Sequence, residues 1–127
     1  MTIANYLRFL MVFVGISGCF SVLFGAWLAH AGQALPLDVQ TRLASALQYQ
    51  FFHTLALLSV LIWYQQHTSK WLIIAASGFA VGMLLFSGSL YLKTFLMNDD
   101  LGQLAPLGGL LLALSWLFVA IAGKKNL

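Results

Sequence analysis

The residues of this sequence that could carry chemistry are few, and three of them share one stretch: Tyr49, Gln50 and His53. Their spacing of three and four residues places these side chains on or near one face of a helix, where they would form a short polar ladder. Polar and ionisable side chains inside apolar sequence are functional hypotheses by default, because burying them in lipid is costly. His53 is therefore the first candidate, with Gln50 and Tyr49 as its partners.

His30 and Ser87 complete the set of candidate polar residues, each on a different apolar stretch. At 1.5 Å per residue, His53 lies about 16 Å from the inner end of its helix, whereas His30 belongs to the outer end of another helix. The two histidines could share a metal or a haem only if the second helix entered the membrane more deeply. No thiolate or carboxylate accompanies them, so we assign no metal and no cofactor.

Several interpretations of this polar set stay open. The groups could bind a quinone head group, form a path for protons or small solutes, or hydrogen-bond to neighbouring helices and fix their register. We favour the last interpretation, because no Asp, Glu, Lys or Arg is embedded beside them. The sequence also lacks a nucleophile elbow, a phosphate-binding loop, a dinucleotide-binding fingerprint and an HExxH motif, so we predict no catalytic residues.

The composition indicates that the folded chain is surrounded by lipid rather than by water. Of its 127 residues 61% are hydrophobic and only 7% are charged, and the mean hydropathy is +0.92; a soluble domain carries roughly 25% charged residues. The net charge of +3 does not indicate nucleic acid, because the six basic residues are dispersed between apolar blocks. We therefore expect an integral membrane protein whose first partner is membrane lipid.

Four apolar stretches are long enough to cross a bilayer, which takes about 20 helical residues. They cover residues 9–30, 37–64, 71–92 and 104–122. Spans must satisfy their backbone hydrogen bonds internally, so all four are predicted to be helices. Short connections make consecutive helices antiparallel. The sequence thus predicts an all-α polytopic membrane protein: a single domain over residues 1–127, folded as an antiparallel bundle of four transmembrane helices.

The second stretch has an amphipathic, polar outer start over residues 38–50. A single helix over residues 37–64 would be about 42 Å long, against a hydrocarbon core of about 30 Å. We therefore expect this helix either to extend past the outer interface or to begin as a surface helix on the outer leaflet.

Small residues at intervals of four predict where helices approach one another closely. Three of the four helices carry such a face. The predicted packing residues are Ser17, Ser21 and Gly25 on the first helix, Gly78 and Gly82 on the third, and Gly108 and Gly109 on the fourth.

Basic residues near the helix ends predict the orientation, because cytoplasmic loops carry more of them. One end of the bundle holds Arg8, Lys70, Lys124 and Lys125, and the other holds Arg42 and Lys93. We therefore predict that both termini lie in the cytoplasm.

Four local motifs occur in a fixed order along the chain. They are FGAWLAH at 24–30, LQYQFFHTLAL at 47–57, LFSGSLY at 85–91 and LAPLGG at 104–109, followed by Trp116. Together they resemble the YgdD-type family of small bacterial inner-membrane proteins, a group of unknown function with small eukaryotic transmembrane relatives. The resemblance implies four helices in the bacterial inner membrane and brings no established reaction. One departure is Trp27 with Leu28, where relatives carry Phe and Gly, which argues against very close packing there.

The functional expectation follows from small-residue faces without a catalytic set. We expect a non-enzymatic membrane protein that acts by self-association, as a homo-oligomer, or as an accessory of a larger membrane complex. The alternative is a membrane-embedded site for a small ligand, a quinone or a proton, centred on His53.

Overall fold

The computed structural model describes all 127 residues and consists of helices and short connections. The helices are α1 (Ile3–Ala29), α2 (Leu37–Gln66), α3 (Lys70–Met83), α4 (Ser89–Phe95) and α5 (Ala105–Asn126). A π-helical turn, Leu84–Gly88, joins α3 to α4 in one continuous third span, Lys70–Phe95. Short 3₁₀ turns at Ala31–Ala34 and Asp99–Leu104 lead into α2 and α5. The predicted all-α fold with four membrane-length helices is confirmed.

Capping residues fix where the helices begin. Thr2 Oγ1 accepts a hydrogen bond from the backbone N–H of Asn5 at 3.2 Å, and Ser69 Oγ accepts one from Trp71 at 3.3 Å. Such side chains satisfy N–H groups that have no partner within the helix. α1 therefore begins at Ile3, ahead of the apolar run that starts near residue 9, because hydropathy marks the part in lipid and the cap marks the helix end.

α2 is one continuous helix, and its amphipathic start is part of the span rather than a separate surface helix. Its 30 residues measure about 45 Å at 1.5 Å per residue, which exceeds the hydrocarbon thickness of about 30 Å. The side chain of Gln40 ties its first turn to the preceding loop by donating to the carbonyl oxygens of Leu35 at 2.7 Å and Gln33 at 3.0 Å. The helix is therefore about 15 Å longer than the apolar layer is thick, which corresponds to about ten residues.

α2 and the third span form the centre of the bundle. In their apolar segments 39% and 50% of residues are buried, compared with 22% in α1 and 22% in the last span. α1 packs mainly on α2, and α5 packs mainly on the third span. α1 and α5 thus flank the central pair on opposite sides, and α1 and α5 make no extended contact with each other.

The antiparallel order gives the bundle two distinct ends. We call the end with both chain termini and the α2–α3 turn the terminal end, and the end with residues 30–36 and 96–104 the loop end. Core residues such as Leu57, Leu72 and Phe79 are completely buried between these ends.

Glycines let α5 approach the third span so closely that their backbones are in contact. A Cβ atom on Gly108 would lie 2.7 Å from the carbonyl carbon of Leu85 and 2.8 Å from Cα of Phe86, both in the π-helical turn. A Cβ on Gly82 would lie 3.2 Å from the Gly108 oxygen, and one on Gly78 would overlap the Ser115 side chain. No larger residue fits this interface unless the helices separate.

The other small residues predicted to pack lie in two different settings. Ser17 and Ser21 are buried, and a Cβ on Gly25 would meet Leu47 of α2 at 3.3 Å. Gly109 differs, because a Cβ there would meet only the Phe86 ring, at an ordinary 3.8 Å. The first three therefore border the α1–α2 interface, whereas Gly109 lies at the edge of the interface between the third span and α5.

Candidate functional site

His53 lies near the middle of α2, in the centre of the bundle, and only 7% of its surface is exposed. Its Nδ1 atom is 2.6 Å from the backbone oxygen of Tyr49, one helical turn earlier. Its Nε2 atom is 3.1 Å from the indole Nε1 of Trp116 on α5. The rings of Tyr49, Phe79 and Trp116 surround the imidazole at centroid distances of 5.7 to 6.0 Å.

These two hydrogen bonds determine the tautomer of His53. An indole N–H can only donate, so Nε2 of His53 must accept with its lone pair, and Nδ1 must carry the hydrogen given to the Tyr49 carbonyl. Both ring nitrogens are therefore occupied within the protein. The imidazole has no free position for a metal or a ligand.

The structure does not bring His30 to the candidate site. His30 is exposed at the loop end, directly after α1, whereas His53 is enclosed in the middle of α2. No group of three or more His, Cys, Asp or Glu residues is placed to hold a metal ion. The two histidines therefore belong to different environments.

Gln50 organises a second polar cluster, on the side of α2 that faces α1. Its Oε1 atom accepts a hydrogen bond from the Tyr91 hydroxyl at 2.7 Å, and its Nε2 atom donates to Ser17 Oγ at 3.0 Å. Ser17 Oγ is 2.7 Å from Thr54 Oγ1, which donates to the backbone oxygen of Gln50 at 2.7 Å. The cluster thus links α1, α2 and α4 through four side chains.

The directions of these hydrogen bonds follow from their surroundings. The Gln50 end that faces α1 also lies 3.5 Å from the backbone oxygen of Ser17, so the amide nitrogen belongs there and the amide oxygen faces Tyr91. Thr54 has one hydroxyl hydrogen and gives it to the Gln50 backbone, so the hydrogen between Thr54 and Ser17 comes from Ser17. Each hydroxyl in the cluster therefore has a defined acceptor for its hydrogen.

A cavity of about 280 Å³ lies beside this cluster, between α1 and the third span. Its walls are Phe13, Ile16, Ser17 and Phe20 of α1, Gln50 of α2, and Met83, Leu84, Ser87, Gly88 and Tyr91 of the third span. The cavity opens sideways, because Ile16 and Leu84 at its rim are 66% and 59% exposed. The mouth is apolar and the inner wall carries the polar groups.

The π-helical turn shapes one wall of this cavity. Ser87 in that turn donates to the backbone oxygen of Ala46 at 2.6 Å, so it joins the third span to α2 at the cavity wall. π-helical turns carry an extra residue in the helical turn and occur frequently at functional sites. His53 does not line the cavity, and neither does the ring of Tyr49.

The predicted set of five polar residues is therefore divided. Gln50 and Ser87 line the cavity. His53 and Tyr49 belong instead to the aromatic cluster, which they form with Phe79 and Trp116, and His30 lies at the loop end. The predicted set did not include Tyr91, Thr54 or Trp116, although Tyr91 ends the LFSGSLY motif and Trp116 follows the LAPLGG motif. The spacing of Thr54, four residues after Gln50, was a usable signal for one of these; the others need the tertiary contact.

Comparison with known proteins decides the family. A family model described as "Protein of unknown function (DUF423)" matches residues 24–109. The chain belongs to this family. It is 32% identical over 117 residues to a "UPF0382 membrane protein" of Haemophilus influenzae, and this match covers 91% of the chain and 94% of that relative.

Two further relatives come from other bacteria. The chain is 31% identical over 119 residues to the "UPF0382 inner membrane protein YgdD" of Escherichia coli strain K12, covering 93% of the chain and 91% of that protein. It is 28% identical to the "UPF0382 membrane protein YwdK" of Bacillus subtilis, covering 95% of the chain and all of that protein. No solved structure matches the chain. The resemblance to YgdD-type proteins is confirmed, and this DUF423 protein is a membrane protein of a family with no assigned activity.

Proposed function

We propose that this DUF423 protein binds a small lipid-soluble molecule in the cavity between α1 and the third span, without catalysing a reaction. The observation that carries this proposal is a cavity with hydrogen-bonding groups on its inner wall and a mouth that faces lipid. Membrane-facing pockets of this kind match molecules that have an apolar body and one polar group. Its volume supports a small occupant, because an engineered apolar cavity of about 150 Å³ admits benzene.

The ligand site is centred on Gln50 rather than on His53. Both nitrogens of His53 are used by Tyr49 and Trp116, so this histidine acts as a link between α2 and α5. Gln50 borders the cavity and holds Ser17 and Tyr91 in place on two other helices. Gln50 lies near the middle of α2, at the depth where lipid offers a polar group no hydrogen-bond partner.

A non-enzymatic role is supported by the chemistry of the cavity wall. Its polar side chains are two serines, one glutamine and one tyrosine. The three carboxylates of the chain, Asp38, Asp99 and Asp100, are at the loop end. The wall therefore offers hydrogen bonds without a paired acid and base.

The test of this proposal compares two substitutions on the same helix. Gln50→Leu removes the central polar group of the cavity, whereas Gln48→Leu makes the same change at an exposed position outside it. After extraction with native lipids, native mass spectrometry of the wild-type protein and of Gln48→Leu should show the same retained small molecule. Gln50→Leu should lose it. Equal retention by all three proteins, or none in the wild type, would refute the proposal.

The same proposal includes an orientation in the bacterial cytoplasmic membrane with both termini inside. It is supported by the basic residues of the terminal end, which are Arg8, Lys70, Lys124 and Lys125. The loop end has only Arg42 and Lys93. Basic residues near span ends are more frequent on the cytoplasmic side.

Self-association is the second candidate function, and the outer face of α1 favours it. A Cβ atom on Gly15 or Gly18 would meet nothing within 4 Å, and Cys19 is exposed beside them. Small residues on a lipid-facing helix let a second helix approach closely, whether from another copy or from a larger complex. Because Cys19 is the only cysteine, oxidative crosslinking in membranes should give a dimer that Cys19→Ser abolishes. A monomer under the same conditions would count against contact through this face.

A further inference from the structure

The hydrogens of the polar groups on the cavity wall are all donated within the protein. Tyr91 gives its hydroxyl hydrogen to Gln50 Oε1 at 2.7 Å. The Gln50 amide gives its hydrogens to Ser17, at 3.0 Å to Oγ and 3.5 Å to the backbone oxygen. Ser17 gives its hydrogen to Thr54, and Ser87 gives its own to the Ala46 backbone at 2.6 Å. No donor on this wall is left for a ligand.

The same groups keep unused acceptor capacity. A hydroxyl oxygen has two lone pairs, and so does an amide oxygen. Tyr91 Oη and Ser87 Oγ receive no hydrogen bond, and Gln50 Oε1 receives one. The wall of the cavity therefore presents acceptors only.

We propose that the cavity selects a lipid-soluble molecule that carries a hydrogen-bond donor, such as a long-chain alcohol, over an acceptor-only molecule such as a ketone or a quinone. This inference rests on the proposed function, since it specifies the ligand of the same cavity. A hydroxyl ligand finds a lone pair on Tyr91 or Gln50. A carbonyl ligand faces oxygen atoms alone and loses the hydrogen bonds it had at the membrane surface.

Rotation of the Tyr91 hydroxyl does not remove this preference. To donate to a carbonyl ligand, Tyr91 must withdraw its hydrogen from Gln50 Oε1. One hydrogen bond is then exchanged for another, and the amide oxygen stays without a donor inside an apolar environment. The donor-bearing ligand adds a hydrogen bond to an intact cluster, so it keeps the advantage.

The shape of the cavity fits a single chain with a polar end. The polar groups lie on the inner wall, whereas the rim residues Ile16 and Leu84 face lipid. A hydroxyl group can reach the wall while the attached chain leaves through the mouth into the hydrocarbon. A molecule with a charged head group would place its charge at mid-membrane, where it is strongly disfavoured.

The experiment measures competition at the cavity with two probes of equal chain length. The full-length protein in lipid nanodiscs is photolabelled with a diazirine-bearing hexadecane, and labelled peptides are mapped by mass spectrometry. Hexadecan-1-ol and hexadecan-2-one then compete with the label on residues 13–20 and 83–91. We expect the alcohol to displace the label at a roughly tenfold lower mole fraction than the ketone, because one net hydrogen bond is worth about a factor of ten.

The Gln50→Leu variant makes the sharper prediction. Without the amide oxygen, the Tyr91 hydrogen has no partner on the wall and turns toward the cavity. The preference should then largely disappear, because the oxygen of either probe can accept that hydrogen, whereas Gln48→Leu should keep the preference of the wild type for the alcohol.

Each outcome decides between the two proposals. Equal competition by alcohol and ketone in the wild type would overturn donor selection and leave the lipid-soluble ligand in place. Better competition by the ketone would do the same. If the label does not reach residues 13–20 and 83–91, or neither probe displaces it, the cavity binds no such molecule and both proposals fail.

Discussion

Gly108 and Gly109 are adjacent in α5, and the structure predicts opposite effects for the same substitution at the two positions. A Cβ atom on Gly108 would lie 2.7 and 2.8 Å from backbone atoms of Leu85 and Phe86. Backbone atoms in a helix cannot move aside as a flexible side chain can. A Cβ on Gly109 would meet only the edge of the Phe86 ring, at 3.8 Å.

The expected change in stability follows from these contact distances. An ordinary carbon contact is about 3.5 to 4.0 Å, so Gly108→Ala requires the third span and α5 to separate by roughly 1 Å. Overpacking of this kind costs about 1–3 kcal/mol, and replacing a helical glycine by alanine returns about 0.5–1 kcal/mol. We expect Gly108→Ala to lower the free energy of unfolding by up to about 2.5 kcal/mol, whereas Gly109→Ala should leave it unchanged or raise it by up to about 1 kcal/mol.

The assay is reversible unfolding in mixed micelles with increasing mole fraction of dodecyl sulfate, followed by far-UV circular dichroism and tryptophan fluorescence. Both variants are measured beside the wild type under identical conditions. If Gly108→Ala unfolds with the wild type, or if Gly109→Ala is the less stable of the pair, then the backbone contact between α5 and the π-helical turn is not as close as described here.

Two further predictions concern the aromatic cluster and the orientation. Nitrogen-15 NMR of labelled histidine should show His53 with its hydrogen on Nδ1, and Trp116→Phe should shift the Nε2 signal and lower stability by about 0.5–1.5 kcal/mol; a hydrogen on Nε2 in the wild type would contradict the assigned bonds. In a Cys19→Ser background, a membrane-impermeant maleimide should label Met97→Cys in intact spheroplasts and Asn126→Cys only after lysis. The reverse pattern would invert the proposed topology.

The sequence predicted the helices well, because their signal is strong. Apolar stretches of membrane length specify four spans whatever their neighbours are, and counting along α2 places His53 near its middle. Spacing also related His53 correctly to Tyr49, whose backbone oxygen accepts its Nδ1 hydrogen. These features depend on local sequence alone.

The division of the polar ladder could not be predicted, because it depends on which neighbours surround α2. Gln50 and His53 are three residues apart, which separates them by roughly 60° around the helix. That angle is enough for Gln50 to face α1 and Tyr91 while His53 faces Trp116 of α5. A helix that is apolar on nearly all sides gives little indication of which face meets which partner. The cavity could not be predicted for the same reason, because its walls come from α1, α2 and the third span together.

The π-helical turn at Leu84–Gly88 lets the third span change its length by one residue without turning its faces. Such a turn contains one residue more than an α-helical turn, so deletion of a single residue there restores ordinary α-helical geometry. The wider turn already absorbs the extra residue, because five residues span the arc that four span in an α-helix, so everything after the deletion keeps its face of the helix. Tyr91 would therefore still face Gln50, and the span would still be long and apolar enough to insert. Loss of one codon at this position is therefore a change that the four-helix fold tolerates, and its effect is confined to the turn that holds Ser87 at the cavity wall.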